Sequence, residues 1–195
     1  MTYPFIENYC RKMPIRKSYS CRLAELRHAL NRAEYVVIGA GAGLSAAAGL
    51  EYSGRRFTDN FGDFIRRYGF TDLYSSSFYP FKTEEERWAY WARHIQQNRY
   101  DEAGTELYQM LLQAVGRKEW FVITTNVDGQ FEKAGFDRER IFAVQGDYAY
   151  LQCAEACHDK LYYNEALVRE MGQKTKDCRI PTALVPHCPV CGGLM

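Results

Sequence analysis

A short apolar run, Tyr35-Val36-Val37-Ile38, leads directly into Gly39-Ala40-Gly41-Ala42-Gly43, and Leu44 to Leu50 then suits the start of a helix. Few folds accept that order. A buried strand, a glycine turn and a helix form the opening of a nucleotide-binding unit. The glycines let backbone amides approach a pyrophosphate, and the helix N-terminus adds its positive dipole end. Ala46 to Ala48 are small enough for the helix to pack closely on a sheet. A tight turn chosen for packing alone would use the same glycines, so the motif needs companions before it marks a site.

The rest of the chain supplies further elements. Ser20 is placed to cap a helix carrying Leu23, Leu26 and Leu30 on one face. Residues 54–80 are rich in aromatics, Ser and Gly without a clean period, and read as irregular and partly helical. Thr83-Glu84-Glu85-Glu86 is a capping box before a helix from Arg87 to Gln97 with Trp88, Trp91 and Ile95 on one face. A further helix is expected from Asp101 to Val115, with Leu107, Met110, Leu111 and Ala114 inward and Gly116 as its stop. Trp120 to Thr124 and Ile141 to Val144 read as two more buried strands, separated by a short helix from Gln130 to Ala134.

The polar run Thr124-Thr125-Asn126-Val127-Asp128-Gly129-Gln130 follows the second strand, where open α/β sheets bind ligands. Asn126 or Asp128 would serve equally well as an ordinary helix cap. Cys153-x-x-x-Cys157 and Cys188-x-x-Cys191 are two pairs on tight turns, with Pro189 and Gly192-Gly193 suited to a knuckle. Four thiolates so placed fill a tetrahedron around zinc and leave no open position, which makes the site structural. Four buried free cysteines are the alternative, and His158 and His187 flank the pairs as alternative ligands. Cys10, Cys21 and Cys178 have no partner pattern and read as packing residues.

Charge and cysteine usage bound the function. The formal net charge of +1 argues against a nucleic-acid partner held by bulk electrostatics. Arg11, Lys12, Arg16 and Lys17 form only a local basic arm. No run is long enough for a membrane helix, and no apolar segment follows a basic start as in a secretory signal. Seven cysteines, four of them in close pairs, fit a metal site in a reducing cytoplasm better than a disulfide framework.

Taken in order, these motifs resemble the sirtuin family over roughly residues 20 to 195. Its Gly-Ala-Gly-x-Ser-x-x-x-Gly loop corresponds to Gly41 to Gly49. Its Thr-Gln-Asn-Ile-Asp run corresponds to Thr124-Thr125-Asn126-Val127-Asp128, with Ala134-Gly135 following, and two cysteine pairs close the match. The resemblance implies an α/β fold: an incomplete Rossmann-like parallel sheet with a helical insert and a small zinc-binding module. The implied division is 1–53 and 101–150 for NAD, 54–100 for the insert, and 151–195 for zinc. It also implies NAD contacts from Gly41, Ala42, Gly43, Ser45, Gly49, Arg56, Phe57, Thr125, Asn126, Asp128 and Gln145. Asn126, Asp128 and Gln145 would form the reacting centre.

Two departures from the family pattern carry the functional expectation. Gln145-Gly146 stands where the family has a catalytic His-Gly. An amide orients a hydroxyl but has no proton-accepting group of useful pKa, so it cannot be a general base. Glu51 to Phe57 replaces the family's Pro-Asp-Phe-Arg, with Arg56-Phe57 as a partial substitute. This combination resembles the microbial macrodomain-linked sirtuins. The class implies NAD-dependent protein ADP-ribosylation of a lipoylated carrier of the glycine-cleavage type, and a macrodomain protein that reverses the modification. The alternatives are an NAD-dependent deacylase with another base, or a non-catalytic zinc-stabilised remnant. The chain stops at Met195 after three core strands, so the expectation is a truncated product, or one completed by a partner, without the elements that hold the adenosine half of NAD.

Overall fold

The computed structural model describes residues 18–195. The basic arm at Arg11 to Lys17 and Cys10 lie outside the described residues. Helix α1 spans Tyr19–Arg32 and is capped by Ser18, whose hydroxyl accepts the Cys21 amide, so Ser20 lies inside the helix rather than at its cap. None of its residues is buried, and its apolar face at Leu23 and Leu26 is open.

Three parallel strands follow: β1 (Tyr35–Ala40), β2 (Glu119–Thr124) and β3 (Ile141–Ala143), in the order β1-β2-β3. The register aligns Ala40 with Thr124, and Thr124 with Ala143. Parallel strands cannot be joined by tight turns, and helices cross between them. Helix α2 (Ala42–Ala47) leaves β1, α7 (Glu106–Val115) leads into β2, and α8 (Gln130–Lys133) lies between β2 and β3. Val36, Ile38 and Ala40 face a core of Tyr108, Val115, Val122, Phe131 and Phe136. The expected incomplete Rossmann-like parallel sheet is therefore present.

The strands differ from expectation in their burial. Every second residue points away from that core and is open: Tyr35, Val37, Phe121, Ile123, Phe142 and Val144 are all exposed. A parallel sheet is ordinarily covered on both faces, and its strands read as continuous apolar runs for that reason. Here the runs are present but only one face is covered within the described residues.

Between β1 and α7 the chain is helical. Helices α3 (Arg55–Thr58), α4 (Gly62–Tyr68), α5 (Leu73–Ser76) and α6 (Glu84–Ile95) lead into a π-helical turn at Gln96–Tyr100. Thr83 caps α6 by accepting the Glu86 amide at 3.3 Å. The aromatic residues that blurred the period are the core itself: Phe57, Phe61, Phe64, Phe70, Trp88 and Tyr90 are buried together. Val168 and Met171 of helix α9 (Glu165–Lys174), with Cys178 and Ile180, complete the same core. Around the cysteines lie a two-stranded antiparallel ribbon, β4 (Tyr150–Leu151) with β5 (Tyr162–Tyr163), and the C-terminal turn. Among the described residues no helix is long and apolar enough to cross a membrane.

Candidate functional site

The cysteine site is assembled from two turns. Ala156 takes a positive φ of 47° just before Cys157, and Gly192 one of 74° just after Cys191. In the second turn Cys188 N donates to Gly193 O and Gly192 N to Cys188 O, while the Val190 amide points at Cys188 Sγ from 3.4 Å. The sulfur atoms of Cys153, Cys157, Cys188 and Cys191 all lie within 4.8 Å of one another, with Cys153–Cys191 at 3.5 Å and Cys157–Cys188 at 3.6 Å. A tetrahedron with Zn–S bonds of about 2.3 Å needs sulfurs about 3.8 Å apart, so the donor set fits zinc. Burial raises the Cys188 thiol, but the amides of Cys191 and Val190 outweigh it and bring the pKa down to about 6. His158 Nδ1 meets Cys157 Sγ at 3.0 Å, and its Nε2 meets the Tyr162 hydroxyl at 2.9 Å, which places it beside the cluster. His187 instead bonds the Gly192 carbonyl.

At the carboxyl ends of the strands a second group converges. Thr125 N donates to Ala40 O, and Val144 N to Thr124 O, so the three exits stay side by side. A Cβ at Gly41 would lie 3.3 Å from Thr125 Oγ1, whereas one at Gly43 would meet nothing. Gly41 is thus held against the neighbouring strand exit, and Gly43 and Ala42 face open space. One turn into α2, Ser45 is 5% exposed and donates to Asp128 Oδ2 at 2.6 Å. Asn126 Nδ2 lies 3.1 Å from each of Gly41 O, Ser45 Oγ and the Tyr108 hydroxyl. Tyr108, fully buried on α7, meets Ser45 Oγ at 2.8 Å. Helix α8 is capped at Gly129, in the left-handed region, and Asp128 Oδ1 accepts the Gln130 amide. Asp128 therefore contributes to the cap with one oxygen and binds Ser45 with the other.

A clamp ties this loop to the exit of β3. Arg99, on the π-helical turn, donates from Nε and Nη2 to the two Asp147 carboxylate oxygens at 2.7 and 3.1 Å. Its guanidinium occupies the space beside Gly129, where a Cβ would lie 2.5 Å from Cζ. Tyr148 N adds a bond to Val127 O. Asn126, Asp128, Gly146 and Asp147 together line a cavity of about 30 Å³. Gln145 stands on the same edge but is exposed, has no hydrogen-bond partner among the described residues, and lines the adjoining open cleft of about 440 Å³ with Glu132, Arg138 and Tyr150.

Arg56, Phe57 and Gly49, also expected at the ligand, have these surroundings within the protein. Phe57 is 1% exposed and stacks on Phe61 at 5.5 Å within the helical core. The Arg56 guanidinium donates to Asn98 Oδ1 and Gln97 O and pairs with Glu102. Gly49, at φ 91°, turns the chain out of α2 so that Leu50 N reaches Ser45 O. Sequence reasoning missed Tyr108 and Arg99. Tyr108 was legible only through the phase of α7: the inward positions are Tyr108, Leu111, Leu112 and Val115, while Met110, expected inside, is 56% exposed.

A match to the Sir2 family spans residues 41–195. A protein ADP-ribosyltransferase of Staphylococcus aureus (strain Mu50 / ATCC 700699) is 40% identical over 170 residues, which is 87% of this chain and 54% of that protein. A probable bifunctional ADP-ribose hydrolase/ADP-ribosyltransferase of Fusarium oxysporum f. sp. cubense is 34% identical over 191 residues, 93% of this chain and 32% of that protein. The chain thus spans about half or less of the length of these relatives. Among solved structures, a Sir2 homologue–NAD complex superposes with a TM-score of 0.59 at 20% identity, covering 88% of this chain and 58% of that one. A mutant Sir2 homologue in complex with ADP-ribose gives 0.57 at 21%, covering 87% and 59%. The glycine turn, the Asn-x-Asp exit, the paired cysteines and the matched span agree: the chain belongs to the Sir2 family.

Proposed function

We propose that this chain is the glycine-loop and zinc-binding part of an NAD-dependent protein ADP-ribosyltransferase. One observation carries the reading: the site offers no histidine base. Gln145 follows β3, and the four histidines of the chain lie elsewhere, His28 on α1, His94 in the helical core, and His158 and His187 beside the cysteines. His94 is moreover held neutral, its pKa pushed down to about 3 by burial and by the Arg56 charge. Deacylation by the family's route needs a base at that place, and transfer to a nucleophile carried by a protein substrate does not. Bound NAD would supply the activated ribose carbon and a neutral leaving group.

The chain's own groups would do the rest. The exposed turn at Gly41 to Gly43 receives phosphate oxygens, Asn126 and Gln145 hold ribose hydroxyls, and Asp128 places a negative charge beside the reacting carbon. The Gly49 bend and Thr125 keep the turn against the strand exits. Zinc at the four cysteines is structural, because no ligand position remains for substrate. A site of four thiols fits a reducing compartment, and we place the protein in the cytoplasm. We assign the acceptor to a lipoylated carrier protein of the glycine-cleavage type, with a macrodomain partner for removal. The Fusarium relative, named for both hydrolase and transferase, supports pairing the two activities.

The test is incubation of the full-length protein with labelled NAD and a lipoylated carrier, followed by intact mass. Gain of one ADP-ribose on the carrier supports the reading, and loss of an acyl group from an acylated substrate overturns it. Asn126→Ala should abolish transfer and Gln145→Ala should reduce it. Gln145→His should introduce measurable deacylation by restoring a base that titrates near neutrality.

A further inference from the structure

We infer that Tyr108 is a positioning residue whose hydroxyl fixes which end of the Asn126 amide faces the ligand. The argument begins with donor counts. A carboxylate only accepts hydrogen bonds, and a serine hydroxyl has one proton. Ser45 gives that proton to Asp128 Oδ2 at 2.6 Å. Ser45 Oγ must then accept from its other two neighbours, the Tyr108 hydroxyl at 2.8 Å and Asn126 Nδ2 at 3.1 Å. The direction of the chain is therefore set from Tyr108 to Ser45 to Asp128.

With its own proton committed to Ser45, the Tyr108 oxygen is an acceptor for Asn126 Nδ2, 3.1 Å away. Asn126 Nδ2 has two protons and three acceptors around it, the third being Gly41 O. A flipped amide would set Oδ1 against the Gly41 carbonyl and leave Ser45 and Tyr108 oxygens without their donor. The nitrogen is thus held inward, and Oδ1, which has no hydrogen-bond partner among the described residues, is the end left for a ligand at the sheet edge. Asn126 presents an acceptor outward, suited to a ribose hydroxyl.

Tyr108 is well placed to hold this arrangement rigidly. It is fully buried, and its ring meets Phe131 edge-on with centroids 4.8 Å apart. Phe131 lies on α8, the helix that Asp128 helps to cap. Burial raises the Tyr108 pKa, the Asp128 charge adds to it, and the hydroxyl remains a donor throughout the neutral range. Removing the hydroxyl leaves the ring packing intact and removes only the constraint on Ser45 and Asn126.

This inference rests on the functional reading for its ligand, so the test has two arms on full-length protein. The first is a double-mutant cycle on NAD affinity by calorimetry. Tyr108→Phe should weaken NAD about tenfold, the scale of one well-made hydrogen bond. Asn126→Ala should weaken it more, and the double variant should match Asn126→Ala within about twofold, because Tyr108 acts through Asn126. A general packing defect would instead add to the Asn126→Ala loss. The second arm needs no ligand: hydrogen exchange of the Asn126 side-chain amide in protein labelled with ¹⁵N-asparagine. Protection in the parent should be lost in Tyr108→Phe and in Ser45→Ala. If the parent binds no NAD, the functional reading fails and the amide exchange alone decides on Tyr108. If Tyr108→Phe does not fold, Ser45→Ala breaks the same chain at its middle link and is read in both arms. Unchanged Asn126 amide protection, or an NAD affinity that is unchanged or falls additively, overturns the inference.

Discussion

The cysteine site and the sheet edge each gather four side chains, and they do so differently. Cys153 and Cys157 share one turn and Cys188 and Cys191 another, so only the docking of two turns remains to be fixed. At the sheet edge Ser45, Tyr108, Asn126 and Asp128 come from three separate elements, with Ser45 63 residues from Tyr108 and 83 from Asp128. That site is held by its own hydrogen bonds and by strand register. The cysteine turns have few polar contacts between them among the described residues, so a metal held there would supply what the sheet edge makes for itself.

Stripping the metal should therefore give the largest effect and confine it to one site. Purified protein should contain about one zinc per chain. Free energies of structural zinc binding reach about 10–16 kcal/mol in small zinc domains, so a strong chelator or Cys188→Ser should unfold the C-terminal turn. Hydrogen exchange checks the confinement. The amides of Ala154, Cys188 and Gly192, all bonded within the cysteine region, should lose protection, while Thr125 and Val144 at the sheet edge keep theirs. Loss at both places would break the comparison.

At the sheet edge the counterpart is Gly129→Ala. Gly129 has φ 66°, and the added Cβ would collide with the Arg99 guanidinium that pairs with Asp147. Backbone strain and displacement of a mostly buried charge together should cost about 2–4 kcal/mol. Zinc content should not change. A thermal midpoint within one degree of the parent would show that the Arg99 clamp does not hold the two loops.

The difference between the sites also explains what could be read in advance. Cysteine pairs advertise a site through spacing alone, and the turn residues Pro189 and Gly192 sit beside them in sequence. Asn126 and Asp128 were legible because they follow a strand. Tyr108 was not, since a tyrosine counts weakly as a core residue and the helix reads equally well one position out of phase, with Leu107 and Met110 inward. The hydroxyl's need for buried partners decides the phase, and those partners are long-range. The same limit hid the open sheet face, because Val37 and Phe121 look no different from Val36 and Val122 in a string of apolar residues. Arg56 and Phe57 are expected at the ligand by resemblance alone, and the aromatic core that buries Phe57 could not be read from the spacing of the residues around it.

A buried polar group in the helical core, outside both sites, gives a pH test. His94 is 1% exposed among Tyr52, Tyr90, Trp91 and Tyr148, with Nε2 unpartnered. Its pKa in the folded state is pushed down to about 3. In the unfolded chain it titrates near 6.5, so below that pH the unfolded state binds a proton that the folded state does not. Stability should therefore fall as pH drops from 6.5 toward 3, by about 2 kcal/mol at pH 5. The His94→Phe variant should lose that slope at equal zinc content. If the slopes coincide, His94 does not carry the acid sensitivity.

The smallest effects should come from the cysteines outside the cluster, and they sharpen the comparison by asking whether the thiol or the spacing matters. Cys178 is 2% exposed within the helical core, at a positive φ of 56°, and burial pushes its thiol up to about 11. Cys178→Ser leaves a hydroxyl where a weakly polar sulfur packed and should cost about 1–2 kcal/mol. Cys21 is exposed on α1, where no residue is buried, contrary to the packing role expected for it. Cys21→Ser should shift stability by less than about 0.5 kcal/mol. Both variants should retain the parent's zinc content, since neither sulfur lies in the four-sulfur cluster. A fall in zinc on either substitution would mean that the metal is not held by the two pairs alone, and the contrast between a site set by spacing and a site set by convergence would lose its first half.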